Sequence, residues 1–389
     1  MKFPILPGVQ LNRQFHRLFI NKQLENGCKP GKGTAAMFTT ADSLSEILSS
    51  PGIKEWLHFL VLPDHFDFYK GLEDMPLRMA AYRGKTSWNS NLQGIGDQIV
   101  DAANLALELQ NGSRQALHLH DWKEWKPAKD ADLCDPQNTF LIAPARIAKE
   151  FEKETEKNEA ENKTEKQSPK KPALIIAPGG GYEFVSFQNE GVPIQNLAEK
   201  KGYVPFIIRY RIAPQTFPAA QMDLLEAIRY IKEHADEWNV DPNRIAACGF
   251  SAGGHLAASS AALADELLPE GKPNALVLGY PVISMEKGTA HEGSVLALLG
   301  KDDAQMRQAL SVENRITPDF PPTFAWACLD DGTVPADNTK RLEQALEKQG
   351  IRHECLYYPT GGHGCGLAYE KSAWPWSEEA FRFLDSCFK

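Results

Sequence analysis

A chain of 389 residues with a net charge of -9, and with no basic cluster interleaved with aromatics to offset it, excludes a phosphate-binding surface and with it nucleic acid. Its 42% hydrophobic and 24% charged fractions are those of a soluble globular protein, and no uninterrupted apolar run is long enough for a bilayer, so no membrane partner is expected. Seven scattered cysteines, an odd number with no C-x-x-C pair, fit a reducing compartment and speak against a disulfide framework or a structural zinc site. The apolar stretch from Phe3 to Val9 is short, broken by Pro4 and Pro7, and followed by no small-residue cleavage site, so the expected location is the cytoplasm.

Residues 1–112 read as a mostly helical N-terminal module. Ser43, with Glu46 three residues later, makes a capping box ahead of Leu44, Ile47 and Leu48, and Pro51-Gly52 ends that helix. Ile95, Ile99, Ala102, Ala106 and Leu109 keep one apolar face until Asn111-Gly112 stops it. The aromatic stretch from Trp56 to Tyr69 reads as core or as a packing surface. Gly27 to Thr34 fails the glycine spacing of a phosphate loop and reads as a flexible turn.

From Gln115 the pattern alternates, with Leu117 and Leu119 on one face and His118 and His120 on the other. Two histidines at that spacing could share a metal, but no third ligand is placed near them, and a solvated strand face is the better reading; no metal site is expected. Asn138 to Pro144 and Pro172 to Ala177 read as the next strands. Between them Lys149 to Lys171 is dominated by Glu and Lys and cannot bury enough surface to offset its ordering entropy. It is expected to be a flexible, exposed insertion in a hairpin of a domain spanning 113–389. Beyond it strands and helices alternate, the signature of a mainly parallel sheet with helices on both faces. Strand candidates are Ala173 to Pro178, Val204 to Tyr210, Arg244 to Phe250, Ala275 to Tyr280, Thr323 to Leu329 and Glu354 to Tyr358.

Gly249-Phe250-Ser251-Ala252-Gly253 is a G-x-S-x-G turn between a strand and a helix, the context in which that motif exposes a nucleophilic serine. A serine hydroxyl attacks at neutral pH only when a base takes its proton and a carboxylate holds that base in one tautomer. In this architecture the acid and the base follow the serine in chain order. Asp331 and His363 do so, each on a loop after a strand; Asp330 is the alternative acid, and His363 is flanked by glycines that suit an exposed imidazole. His255 is expected to pack beneath the turn, and His291, His234 and His353 have no supporting pattern. Pro178-Gly179-Gly180-Gly181-Tyr182, directly after a strand, leaves backbone N–H groups uncovered for an oxyanion, and the Ala252 N–H supplies another.

These motifs, with Glu190-Gly191, Tyr210-Arg211, Phe217-Pro218, Asp223, Tyr280-Pro281, Leu298-Leu299-Gly300, Pro321-Pro322-Thr323-Phe324 and Val334-Pro335, resemble the acetyl-esterase and acetylxylan-esterase-like branch of the α/β-hydrolases over residues 115–389. The resemblance implies an α/β-hydrolase fold and a cofactor-free serine esterase acting on short-acyl esters, often on carbohydrates. Ser251 is then the nucleophile, Asp331 the orienting acid and His363 the base; Gly180, Gly181 and Ala252 form the oxyanion hole, and Tyr182 is expected to touch substrate. Where relatives often carry a histidine this chain has Ala327 after Trp326, which reads as a packing change. The N-terminal module lies outside the resemblance and is expected to cover the site or to mediate a homodimer. Amide or peptide cleavage by the same triad, and a hydrolase-fold binding protein without activity, are the alternatives.

Overall fold

Ala173 to Ala177 and Phe206 to Ile208 are apolar at every position and fully buried, which suits strands covered on both faces. They lie in the middle of an eight-stranded sheet of order β1-β2-β4-β3-β5-β6-β7-β8. The strands are β1 (Ala116–His118), β2 (Phe140–Ile142), β3 (Lys171–Ala177), β4 (Val204–Arg209), β5 (Val240–Phe250), β6 (Ala275–Gly279), β7 (Thr323–Cys328) and β8 (His353–Tyr358). β1–β2 and β2–β4 pair antiparallel, and the remaining neighbours run parallel. The computed structural model describes residues 37–61, 73–75, 77, 95–129, 131–145 and 169–389. Gly27 to Thr34, the aromatic stretch beyond residue 61 and the charged run up to residue 168 lie outside the described residues.

One expectation is overturned: no hairpin joins β2 to β3. Both edges of β3 are taken by parallel partners, β4 and β5, so β2 pairs instead with β4 in the register Phe140↔Arg209, Leu141↔Ile208. The order in which strands are added reverses at β3, with β4 on one side and β5 on the other. In open α/β sheets sites form at such a reversal, at the C-terminal ends of the strands.

The helices are α1 (Leu44–Ser49), α2 (Ile53–Leu60), α3 (Ile95–Asn111), α4 (Val192–Lys200), α5 (Ala219–Glu233), α6 (Ala252–Leu267), α7 (Glu292–Leu299), α8 (Ala304–Leu310), α9 (Asp337–Gln349) and α10 (Trp376–Cys387). Ser43 caps α1 as its spacing predicts: its Oγ accepts the Glu46 N–H at 3.2 Å and its own N–H donates to Glu46 Oε2 at 2.7 Å. Trp56 and Phe59 of α2 meet Trp125 edge to face at 5.4 and 5.0 Å, and Trp125 stacks on Phe140 of β2 at 4.3 Å. The N-terminal helices therefore share one hydrophobic core with the sheet, and residues 38–389 form one compact unit.

At the other end of the sheet Trp376 of α10 stacks on Trp326 of β7, with ring centroids 5.2 Å apart and planes 18° from parallel. Its indole Nε1 donates to the Gly366 carbonyl at 3.1 Å, so one side chain fills the core and holds the loop after β8. Trp376→Ala should cost about 4 kcal/mol, which for a unit of this size lowers Tm by roughly 5 °C. Trp376→Phe should lose less than half as much. Equal Tm values for wild type and the alanine variant in thermal unfolding would refute this account of the stack.

Candidate active site

β5 ends at Phe250 and α6 begins at Ala252, with Ser251 between them at φ +52°, ψ -121°. A non-glycine residue in that region is strained and persists only where its surroundings fix it. Here the Ser251 N–H donates to the Gly279 carbonyl at 3.0 Å, and the Ser251 carbonyl accepts the Val282 and His255 N–H groups at 3.0 and 3.1 Å. The turn closes so tightly that a Cβ on Gly253 would stand 2.1 Å from the Ala177 carbonyl oxygen at the end of β3. Only glycine fits there.

His363 is part-buried on the loop after β8, and its Nε2 lies 2.8 Å from Ser251 Oγ. On the other side of the ring, Nδ1 lies 2.7 Å from Asp331 Oδ2. The carboxylate can only accept, so Nδ1 carries the hydrogen in the neutral ring and Nε2 presents its lone pair to the serine hydroxyl. Asp331 is itself oriented, its Oδ1 accepting the Thr333 and Val334 N–H groups at 2.9 Å each. Its neighbour Asp330 does something else: it accepts the Gly361 and Gly362 N–H groups at 3.2 and 2.8 Å and so anchors the histidine loop. Of the two adjacent aspartates, Asp331 is the one that meets the imidazole.

The glycine turn after β3 packs directly against the serine. A methyl on Gly179 would sit 2.9 Å from Ser251 Cβ, and Gly180 and Gly181 adopt φ +131° and +65°. The Gly180 carbonyl accepts the Glu183 and Phe184 N–H groups, and the Gly179 carbonyl accepts that of Ser186. The Gly180, Gly181 and Ala252 amides have no partner among the described residues. Tyr182 does not join this group: its ring is 1% exposed and its hydroxyl is committed to His255 Nδ1 at 2.8 Å, a side chain set behind the turn.

Two further side chains tie the site together. Glu190, 3% exposed, accepts the Gly179 N–H at Oε2 and the Tyr280 hydroxyl at Oε1, both at 2.7 Å, while burial pushes its carboxyl above the usual range. The Tyr280 oxygen in turn accepts the Gly366 N–H at 2.9 Å, and its ring stands 4.9 Å from that of His363. The glycine turn and the histidine loop are thus joined through one buried carboxylate. Glu190 and Tyr280 belong to recognisable motifs, but nothing local in the sequence declares that link. His291, which lacked a supporting pattern, caps α7 and lies beside Gly181, where a methyl would be 3.9 Å from its Cε1.

Among the described residues, the one cluster of three candidate metal donors lies away from Ser251, Asp331 and His363. His118 and His120 face each other at 5.1 Å, with His118 Nδ1 3.1 Å from Asp121 Oδ1, and no third ligand joins them among the described residues. Glu343, Glu347 and His353, on α9 and the start of β8, bring three donor atoms within 4.8 Å of one another and contribute nothing to the site above. No described helix is long and apolar enough to cross a membrane.

The BD-FAE family matches residues 162–346. The acetylxylan esterase of Xylanibacter ruminicola is 31% identical over 208 residues, 52% of this chain and 42% of that protein. The chain therefore spans less than half the length of that relative. Among solved structures, the acetyl ester-xyloside bifunctional hydrolase of Caldicellulosiruptor lactoaceticus is 31% identical, with a TM-score of 0.56, and the alignment covers 70% of this chain and 95% of that one. The carboxylesterase Cest-2923 of Lactobacillus plantarum is 25% identical with a TM-score of 0.52, over 64% of this chain and 92% of that one.

The imidazole behind the glycine turn makes the fold sensitive to acid. His255 is fully buried, and its Nε2 lies 2.9 Å from the Leu310 carbonyl, which can only accept; the ring is the Nε2–H tautomer, with Nδ1 receiving the Tyr182 hydroxyl proton. Burial pushes its pKa from 6.5 down to about 4. Between those values the unfolded chain binds a proton that the folded one does not, so stability is full above pH 6.5 and falls as the pH drops towards 4, by roughly 3 kcal/mol in all. Tm measured from pH 7.5 to 5 should fall more steeply for wild type than for His255→Gln. Parallel curves would remove His255 as the cause.

Proposed function

Because the chain belongs to the acetyl-esterase and acetylxylan-esterase-like branch of the α/β-hydrolases, we propose that it is a serine esterase cleaving short-acyl esters of carbohydrate alcohols. The observation that carries this reading is the unbroken line of hydrogen bonds from Ser251 Oγ through the His363 ring to Asp331, at 2.8 and 2.7 Å.

His363 Nε2 takes the Ser251 proton as Oγ attacks the ester carbonyl, and Asp331 holds the ring in the tautomer that can accept it. The negative charge that develops on the carbonyl oxygen is met by the Gly180, Gly181 and Ala252 amides. The last of these stands at the N-terminus of α6, whose dipole favours an anion. The imidazolium then gives its proton to the alkoxide as the C–O bond breaks, and the alcohol departs. Water repeats the sequence on the acyl-serine with the same base and returns the free enzyme. No cofactor enters the scheme. The carbohydrate alcohol is favoured by the xylan and xyloside substrates in the names of the two relatives that are 31% identical.

Ser251→Ala should lower kcat/KM on p-nitrophenyl acetate by about a thousandfold or more while leaving the circular dichroism spectrum and Tm close to wild type. A fluorophosphonate probe should label wild type and not the variant. Retained turnover in Ser251→Ala would sink the assignment.

A further inference from the structure

His291 is the N-cap residue immediately before α7, and the backbone N–H of Ser294 donates to its Nδ1 at 3.2 Å, with Ser294 Oγ 2.8 Å from the same nitrogen. An amide can only donate, so Nδ1 is the acceptor, the neutral ring carries its hydrogen on Nε2, and the ring cannot swing away without breaking the cap. A methyl built on Gly181 would lie 3.9 Å from His291 Cε1 and 3.8 Å from Ser294 Oγ, so the cap lies against the turn assigned to the oxyanion. Nε2 is bonded to Cε1 and is the ring nitrogen left outside the cap. Nε2 has no partner among the described residues, and the ring is half-buried.

The charges around this ring decide what it can do. Burial and the charge of His363 both lower its pKa, while Glu183, Asp331 and Glu292 act the other way. When His363 becomes positive by taking the serine proton, His291 is pushed further towards the neutral form, so it is poorly placed to serve as a second acid. It remains a neutral donor held by its cap beside Gly181.

We propose that His291 is a specificity-determining residue that donates a hydrogen bond from Nε2 to a hydroxyl of the alcohol half of a polyhydroxylated ester, held in place by Ser294 and standing beside Gly181. The inference rests on the esterase reading above and adds the group that separates sugar esters from simple ones. An alcohol without a neighbouring hydroxyl gains nothing from it.

The test compares kcat/KM for acetylated xylobiose with that for p-nitrophenyl acetate in wild type, His291→Ala and His291→Gln. The ratio should fall about tenfold in His291→Ala, the worth of one hydrogen bond to substrate, with the loss appearing in KM for the sugar ester. His291→Gln, which keeps a donor, should recover part of it. A ratio that stays within about twofold of wild type in both variants, or a loss confined to kcat and equal for the two substrates, overturns the assignment. Wild type that cleaves neither ester and takes no fluorophosphonate label would instead bring down the esterase reading itself.

Discussion

The close approach of the ends of β3 and β5 is the constraint on which the rest depends. With the Ala177 carbonyl pressed against Gly253 and the Phe250 carbonyl against Gly179, no side chain fits between the two strand ends. The chain must therefore leave β5 through a single residue in a strained conformation and enter α6 at once. That geometry lifts one hydroxyl out of the backbone and sets a helix N-terminus and a row of glycine amides around it. It is only possible because β3 and β5 are adjacent, parallel and in register from Ala173↔Ile245 to Ala177↔Gly249.

Around that point the loops are held by a small set of buried polar contacts. Glu190 and Tyr280 bind the glycine turn to the histidine loop, Asp330 fixes the start of that loop, and Trp376 closes its far end. A carboxylate buried this deeply is costly to strand without partners. Each of its oxygens has one, so the same desolvation that would destabilise a lone charge ties two loops into one arrangement. The imidazole of His363 is thereby placed from several directions at once, with both ring nitrogens engaged.

How much of this could be read from the chain follows from how local each signal is. The turn at Ser251 was legible because its glycines, its strand and its helix are contiguous, and chain order alone pointed to Asp331 and His363 as the groups to test. Asp331 was preferred to Asp330 from the chain, but the separate task of Asp330 was not legible, since neighbouring carboxylates differ only in where their loop aims them. Glu190, Tyr280 and His291 were opaque for a related reason: each acts on a segment distant in sequence, through contacts that leave no periodic pattern. The short apolar runs at β2 and β3 marked both as strands, yet such a run says nothing about which edge each offers. That is why a hairpin was expected where β4 intervenes.

The path from β2 to β3 carries a consequence for the evolution of this chain. Strands that meet in a hairpin pass every change in their connection to the ladder between them, whereas β2 and β3 share no ladder. The tether between them can grow or shrink without disturbing the pairing of either, at a closure cost of only about 0.6 kcal/mol for each doubling of its length.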